Sequence, residues 1–261
     1  MNKYLLSLLA SALFCTGYAE EVYKMPICGT LKPRASCRLG AQVSGRVEEV
    51  LCKEGQAVQQ GQVLVKLDTT FFELDVKRQE ALYRNAHVFY EEAQLEAQRM
   101  ENLWSKPDPS VPKKLYDEAQ FRLKQKKNLL VQSSTELKAA RGRLKEASIT
   151  APFSGVITHC YIDRGDSVTS VPPVEVVELI DPSRLTFEFS IPQEKIGAVQ
   201  LGAAVTFRME GDSKTYTAPV TKAIPAIDEH TRSFRCQAEI ENSGGDLKAG
   251  AFVRGTVELK G

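Results

Sequence analysis

The sequence predicts a mainly β protein interrupted by one long antiparallel α-helical hairpin, and three observations carry that prediction. A stretch with few glycines and many Glu, Gln, Lys, Arg, Ala and Leu runs from about Phe71 to Ala147 and breaks once, at Ser105-Lys-Pro-Asp-Pro-Ser-Val-Pro112. Within that stretch apolar residues recur in alternating steps of three and four, the repeat of helices that pack as a coiled coil. On both sides of it stand short alternating segments punctuated by glycine, which read as β-strands and turns.

The chain opens with Lys3, an apolar run from Leu5 to Phe14, and the small residues Gly17 and Ala19 ahead of Glu20. That is the build of a secretory signal, and its apolar run is too short to span a bilayer. Residues 1–19 are therefore expected to be a cleaved signal peptide. A lipoprotein signal ending at Cys15 wants a small residue before the cysteine, and Phe14 stands there instead. The mature chain is expected to be soluble outside the cytoplasm. Its formal net charge of +1 gives no reason to expect nucleic acid as a partner.

Removing the signal leaves Cys28, Cys37, Cys52, Cys160 and Cys236, an odd set that cannot all pair within one chain. Cys28 and Cys37 flank Gly-Thr-Leu-Lys-Pro, a stretch able to turn, so they read either as a disulfide or as small buried apolar residues. No CxxC spacing occurs, and His87, His159 and His230 are scattered, which predicts no metal site.

Three prolines between Ser105 and Pro112 cannot continue a helix, since each removes a donor and crowds the preceding turn. The first helix places Phe72, Leu82, Ala86, Phe89, Ala93, Met100 and Leu103 on one seam, interrupted by Asp75, Gln79 and Glu96. The second places Tyr116, Ala119, Leu123, Leu130, Leu137, Ala140, Leu144 and Ala147 on another, with four leucines spaced by sevens. At 1.5 Å per residue, roughly 33 residues reach about 50 Å. A seam this narrow suits a projecting arm rather than a globular core; two amphipathic helices covering a sheet are the plainer alternative.

The flanking blocks share an internal pattern. Gly45 to Gly55 and Gly155 to Gly165 have the same spacing, each second glycine is followed by a valine (Val58, Val168), and each block closes in an apolar strand ending at Asp68 or Asp181. They predict a small β-sandwich of two related halves. These glycines and aspartates read as turn formers, glycine serving where φ is positive.

At this level the chain resembles a known family. The two blocks look like halves of a biotinyl/lipoyl-type domain, and halves separated by a helical hairpin are the arrangement of the periplasmic adaptors, or membrane fusion proteins, related to HlyD. Leu185-Thr-Phe-Glu-Phe-Ser-Ile-Pro192, Leu201-Gly202, Ala223-Ile-Pro-Ala-Ile-Asp228-Glu-His-Thr231-Arg232 and Leu247-Lys-Ala-Gly250-Ala-Phe-Val253 resemble the β-barrel of that family. The resemblance implies a lipoyl-like domain at 38–70 and 148–181, a hairpin at 71–147, and a barrel at 20–37 and 182–261. Asp68, Asp181, Asp228 and Arg232 are expected to be scaffold.

What the resemblance implies about function is a non-catalytic adaptor of an efflux pump in the periplasm, associated with the inner membrane through its transporter. It would link that transporter to a TolC-like outer-membrane channel and self-associate into a ring. An RND-type (resistance-nodulation-division) transporter is favoured, with an ABC-type exporter next. Family members that dock on such channels carry at the tip an Arg, a Leu four residues later, a Ser after the turn, and then Tyr-Asp. Arg99, Leu103 and Tyr116-Asp117 match; the serine position falls on Pro112, with Ser110 the nearest hydroxyl. Arg99, Leu103, Ser110 and Pro112 are thus the candidate channel contacts. The sequence reaches Gly261 soon after the barrel, where many adaptors continue into a membrane-proximal domain, so the barrel is expected to meet the transporter. A biotin or lipoyl carrier is the remote alternative, but Lys66 lies in an apolar strand and no Met-Lys-Met motif is present. No cofactor is expected, and no nucleophile elbow, phosphate loop or zinc-binding helix points to an enzyme.

Overall fold

A computed structural model describes residues 22–106, 111–211 and 213–260. The signal segment with Cys15, and the candidate contact Ser110, lie outside the described residues. In chain order the elements are β1 (Val22–Gly40), β2 (Gly45–Val50), β3 (Ala57–Val58), β4 (Val63–Leu67), α1 (Thr70–Trp104), α2 (Lys113–Glu146), β5 (Ser148–Thr150) and β6 (Gly155–Cys160). They continue with β7 (Ser167–Val168), β8 (Glu175–Pro192), a short 3-10 helix (Gln193–Ala198), β9 (Ala204–Met209), β10 (Tyr216–Asp228), β11 (Ser233–Glu241) and β12 (Phe252–Lys260). The chain divides into two compact units, one of residues 35–181 and one of residues up to 34 together with those from 182 onwards.

In the second of these units the strand order is β1-β12-β9-β10-β11-β8, and β1 pairs back onto β8 to close the ring. Alternation explains its core. Along Leu185-Thr-Phe-Glu-Phe-Ser-Ile191 every second residue points inward, and Leu185, Phe187, Phe189 and Ile191 are all buried. The Phe187 ring lies 5.0 Å from Phe189 and 4.8 Å from Phe207, centroid to centroid, in tilted contacts. Val205, Phe234, Val253 and Val257 complete the interior. Asp228 closes the β10–β11 turn, its Oδ1 accepting the backbone N–H groups of His230 (2.9 Å) and Thr231 (3.1 Å). Those two bonds hold its carboxyl below the usual range.

The other unit is a sandwich whose strands interleave across the helical insertion. β2 and β4, before the helices, pair with β7 and β5, after them; β3 pairs with β6. The glycines at the loops reciprocate. Gly55 N–H donates to Ile157 O (2.8 Å) and Gly165 N–H to Val47 O (2.9 Å), while Ile157 N–H returns to Gln56 O and Val47 N–H to Asp166 O. Each half therefore completes the hydrogen bonding of the other. Val47, Leu64, Leu67, Ile157, Val168, Val176 and Leu179 fill the space between the layers.

Three expectations change. Gly55 and Gly165 do adopt positive φ, at 80° and 97°, but Gly45 and Gly155 start strands instead of serving a positive-φ turn. The strand expected to end at Asp181 runs on to Pro192, because extended backbone can leave one ladder and enter another without a turn. Cys28 and Cys37 both lie along β1 rather than on two sides of a turn, and both thiols are free, so this pair does not bridge.

Candidate functional site

Both ends of the helical insertion are tied to the sandwich. The Asp68 carboxylate accepts the Thr70 N–H (2.9 Å) and the Thr69 hydroxyl donates to Glu73 (2.8 Å), which starts α1. Leu67 N–H donates to the carbonyl of Ala147, the buried residue that ends α2 (2.9 Å). The strand leading into the first helix is thus bonded to the end of the second.

The helices, of 35 and 34 residues, are held antiparallel by contacts at both ends. At the base Arg143 donates to Asp75 (2.7 Å) and Arg141 to Glu80 (2.7 Å). At the far end the Trp104 and Tyr116 rings stack, 5.7 Å apart and 17° from parallel. In α2 the inward positions fall on the expected grid: Ala119, Leu137 and Ala140 are buried, and Tyr116, Leu123, Leu130 and Leu144 are half-buried.

In α1 the seam is displaced by one residue at Leu82 and at Phe89. Gln79, Ala86, Ala93 and Ala97 are buried and Val76, Tyr83 and Tyr90 are half-buried, whereas Leu82 (48% exposed) and Phe89 (47%) face outward. Hydropathy favours Leu and Phe over the adjacent tyrosines. Tyrosine, however, can lay its ring on a narrow seam and keep its hydroxyl at the wet edge, so packing against the leucines of α2 decides the phase. Ser133 satisfies its hydroxyl on Leu130 O (3.0 Å), and the Lys126 ammonium sits 4.7 Å from the Phe89 ring centroid. Gln79 Oε1 is buried and finds no hydrogen-bond partner among the described residues.

Asp75 takes hydrogen bonds from Arg143 and then Arg78, which together hold its carboxyl below the usual range despite partial burial. A depressed carboxyl contributes stability above its unfolded value of about 3.8 and loses it as pH falls through the lower folded value. Asp75→Asn is expected to cost about 1 kcal/mol at neutral pH. Urea midpoints of the variant and the parent should converge as the pH is taken well below that window.

Of the candidate tip residues, Arg99 is exposed and paired weakly with Glu96 on its own helix (3.6 Å), and Leu103 is half-buried in the last turn of α1. Pro112 is extended (φ −61°, ψ 139°) and precedes the first turn of α2. That turn carries Lys113 and Lys114 and no acid, and the last turn of α1 carries no base, so neither end compensates its helix dipole. The Tyr116 hydroxyl is pushed up by its hydrogen bond to Glu101 and by partial burial. Sequence reasoning missed the Trp104–Tyr116 stack, although a lone tryptophan beside the proline break was a visible signal. It also missed a second, outward stripe on α1, where Leu74, Val88 and Leu95 are exposed at multiples of seven.

Elsewhere in this unit Glu178 accepts from Arg38 (3.4 Å) and lies within hydrogen-bond reach of His159 Nδ1 (3.0 Å) and the Tyr161 hydroxyl (3.3 Å). Burial opposes ionisation there, but these partners outweigh it and hold the carboxyl low. Lys66 is paired within its ladder with Glu49 (3.9 Å) and does not stand on a tight turn. Among the described residues no three His, Cys, Asp or Glu side chains gather as a metal site, and no helix is long and apolar enough to cross a membrane.

Residues 36–180 match the family model described as "RND MFP, barrel-sandwich hybrid domain", and residues 187–261 match "CusB-like, beta-barrel domain". The chain belongs to the RND membrane fusion protein family. An uncharacterised protein of Haemophilus influenzae is 30% identical over 243 residues, covering 88% of this chain and 56% of its own length. The multidrug resistance protein MexA of Pseudomonas aeruginosa is 26% identical over 233 residues, covering 83% of this chain and 56% of MexA. The chain thus spans a little over half the length of these two members of the comparison. The crystal structure of MacA from Actinobacillus actinomycetemcomitans superposes with a TM-score of 0.71 at 22% identity, over 92% of this chain and 81% of MacA, a likeness of fold. Within the membrane fusion protein frame, the matched sandwich segment includes both helices, and the barrel segment begins inside β8.

Proposed function

We propose that the protein is the periplasmic adaptor subunit of an RND-type efflux pump, linking an inner-membrane transporter to a TolC-like outer-membrane channel. The observation that carries this reading is the pair of long antiparallel helices inserted between the halves of a barrel-sandwich hybrid domain of the RND membrane fusion family. The helices form a coiled-coil arm of about 50 Å, built on a lipoyl-like domain at 38–70 and 148–181, with the barrel at 20–37 and 182–261. Residues 1–19 direct export to the periplasm and are removed there.

The arm works as a conformational spacer, not a catalyst; the transporter supplies the energy. Its tip meets the channel through Arg99, Leu103, Ser110 and Pro112. The lysines that open α2, of which Lys114 pairs with Glu118 (3.9 Å), favour an acidic surface on the channel, since an anion there relieves their conflict with the helix dipole. Side-by-side copies form a ring, and the outward stripe of Leu74, Val88 and Leu95 supports contact between neighbouring arms.

The test is reconstitution of efflux with the cognate transporter and channel. Arg99→Glu should weaken capture of the channel about tenfold or more while leaving the thermal midpoint unchanged. Replacing residues 70–146 by a short turn should abolish efflux. Full efflux with the arm deleted would overturn the reading.

A further inference from the structure

Neither the fold nor the adaptor reading uses two cysteines that pack into the same core of the sandwich. Cys52 follows β2 and is only 5% exposed; Cys160 ends β6 and is half-buried. The backbone holds their segments side by side. Cys160 N–H donates to Glu54 Oε1 (3.1 Å), Gly55 N–H to Ile157 O (2.8 Å), and Ile157 N–H to Gln56 O (3.0 Å). Both cysteine side chains pack into the same core cluster of the sandwich, and Cys160 Sγ faces the Ile162 carbonyl at 3.7 Å. Cys28 and Cys37 lie on β1, and Cys236 is buried in β11.

We propose that Cys52 and Cys160 are a built-in oxidation site that closes to a disulfide, locking the two halves of the sandwich together beneath the helical arm. Cys52 precedes the insertion and Cys160 follows it, so the bond closes a loop containing both helices. A loop of that length removes a large share of the freedom of the unfolded chain. The inference rests on the periplasmic location proposed above, where disulfides persist.

The oxidant is an external disulfide, either a small-molecule disulfide or that of an oxidoreductase. Cys160, which reaches solvent, loses its proton and attacks one sulfur of that disulfide, and the other sulfur leaves as a thiol. Cys52 then loses its proton and attacks the Cys160 sulfur, releasing the second thiol. The protein loses two hydrogen atoms and gains one S–S bond; the oxidant gains two S–H bonds. Burial first, and the Cys160 thiol second, push the Cys52 thiol up to about 12, so closure should quicken as pH rises.

The test uses the full chain, purified reduced, incubated with oxidised glutathione, blocked with iodoacetamide and digested with trypsin without reduction. The expected result is a linked species joining residues 47–53 to residues 146–164. It should be accompanied by a rise in thermal midpoint of about 5 °C or more. Cys52→Ala and Cys160→Ala should each lose both signals, and Cys236→Ala should keep them. Alkylation of Cys52 and Cys160 in the oxidised sample, or their linkage to other cysteines, overturns the proposal. Because the oxidant is supplied, that failure leaves the adaptor reading standing. Conversely, a chain that fractionates with the cytoplasm overturns the location whatever the purified protein does. A bond formed by glutathione but missing from chain recovered from the periplasm overturns the site as a native one.

Discussion

Gly155→Val should unfold the sandwich and with it remove the platform of the helical arm. A side chain at this position would be driven into the backbone carbonyl of Ile180 on β8, closer than real Cβ atoms approach, with the Leu179 side chain at 3.4 Å. Backbone cannot swing aside as a flexible side chain can. The ladder between Val156 and Ile180 must therefore part, and the short pairing of Ala57 with Val156 goes with it. Ile157, Val58 and Leu179, all buried, lose their shared packing. Overpacking of this kind against immobile backbone costs about 3 kcal/mol or more. Gly45 holds the corresponding place in the other half and supplies the control. A Cβ there would meet only the Leu67 side chain, at 3.5 Å, an ordinary contact. Gly45→Ala should thus move the urea midpoint little, while Gly155→Ala already moves it strongly. Equal midpoints for the two alanine variants would count against the account, and efflux should fail in the Gly155 variants only.

The second large effect is expected in the barrel. Phe187 is fully buried and is flanked by the rings of Phe189 and Phe207. Truncation to alanine removes the transfer energy of a whole ring and two aromatic contacts, and leaves a cavity that paired strands cannot collapse to fill. The cost is about 3–5 kcal/mol, against about 1 kcal/mol for Phe187→Leu, which keeps most of the volume. Thermal unfolding followed by circular dichroism should rank the proteins in that order. A small loss for the alanine variant would mean that the barrel core is looser than its rings indicate.

Much of this architecture was legible because its signals are local. The leucines at 123, 130, 137 and 144 fix the inward face of α2 by spacing alone, and the alternation through Leu185, Phe187, Phe189 and Ile191 fixes that of β8. The matched spacing from Gly45 to Gly55 and from Gly155 to Gly165 announced two related halves, and positive φ at Gly55 and Gly165 is the local need that spacing served. Arg99, Leu103, Ser110 and Pro112 became candidates through the resemblance to the adaptor family; their contact with a channel rests on the proposal.

The helical insertion is where sequence and structure divide most clearly. Two long helices of nearly equal length between two halves of a β module follow from composition, proline and heptad spacing, which are properties of single segments. Which face of α1 is buried follows instead from packing between the helices. Leu82 and Tyr83, or Phe89 and Tyr90, are neighbours of comparable bulk, and the choice between them depends on the leucines presented by the other helix. Tertiary packing likewise makes Gly155 necessary for a close approach between strands and brings Cys52 and Cys160 into one core although the whole insertion separates them in the chain. These are pairings between residues far apart in the chain, and no periodicity within one segment encodes its partner.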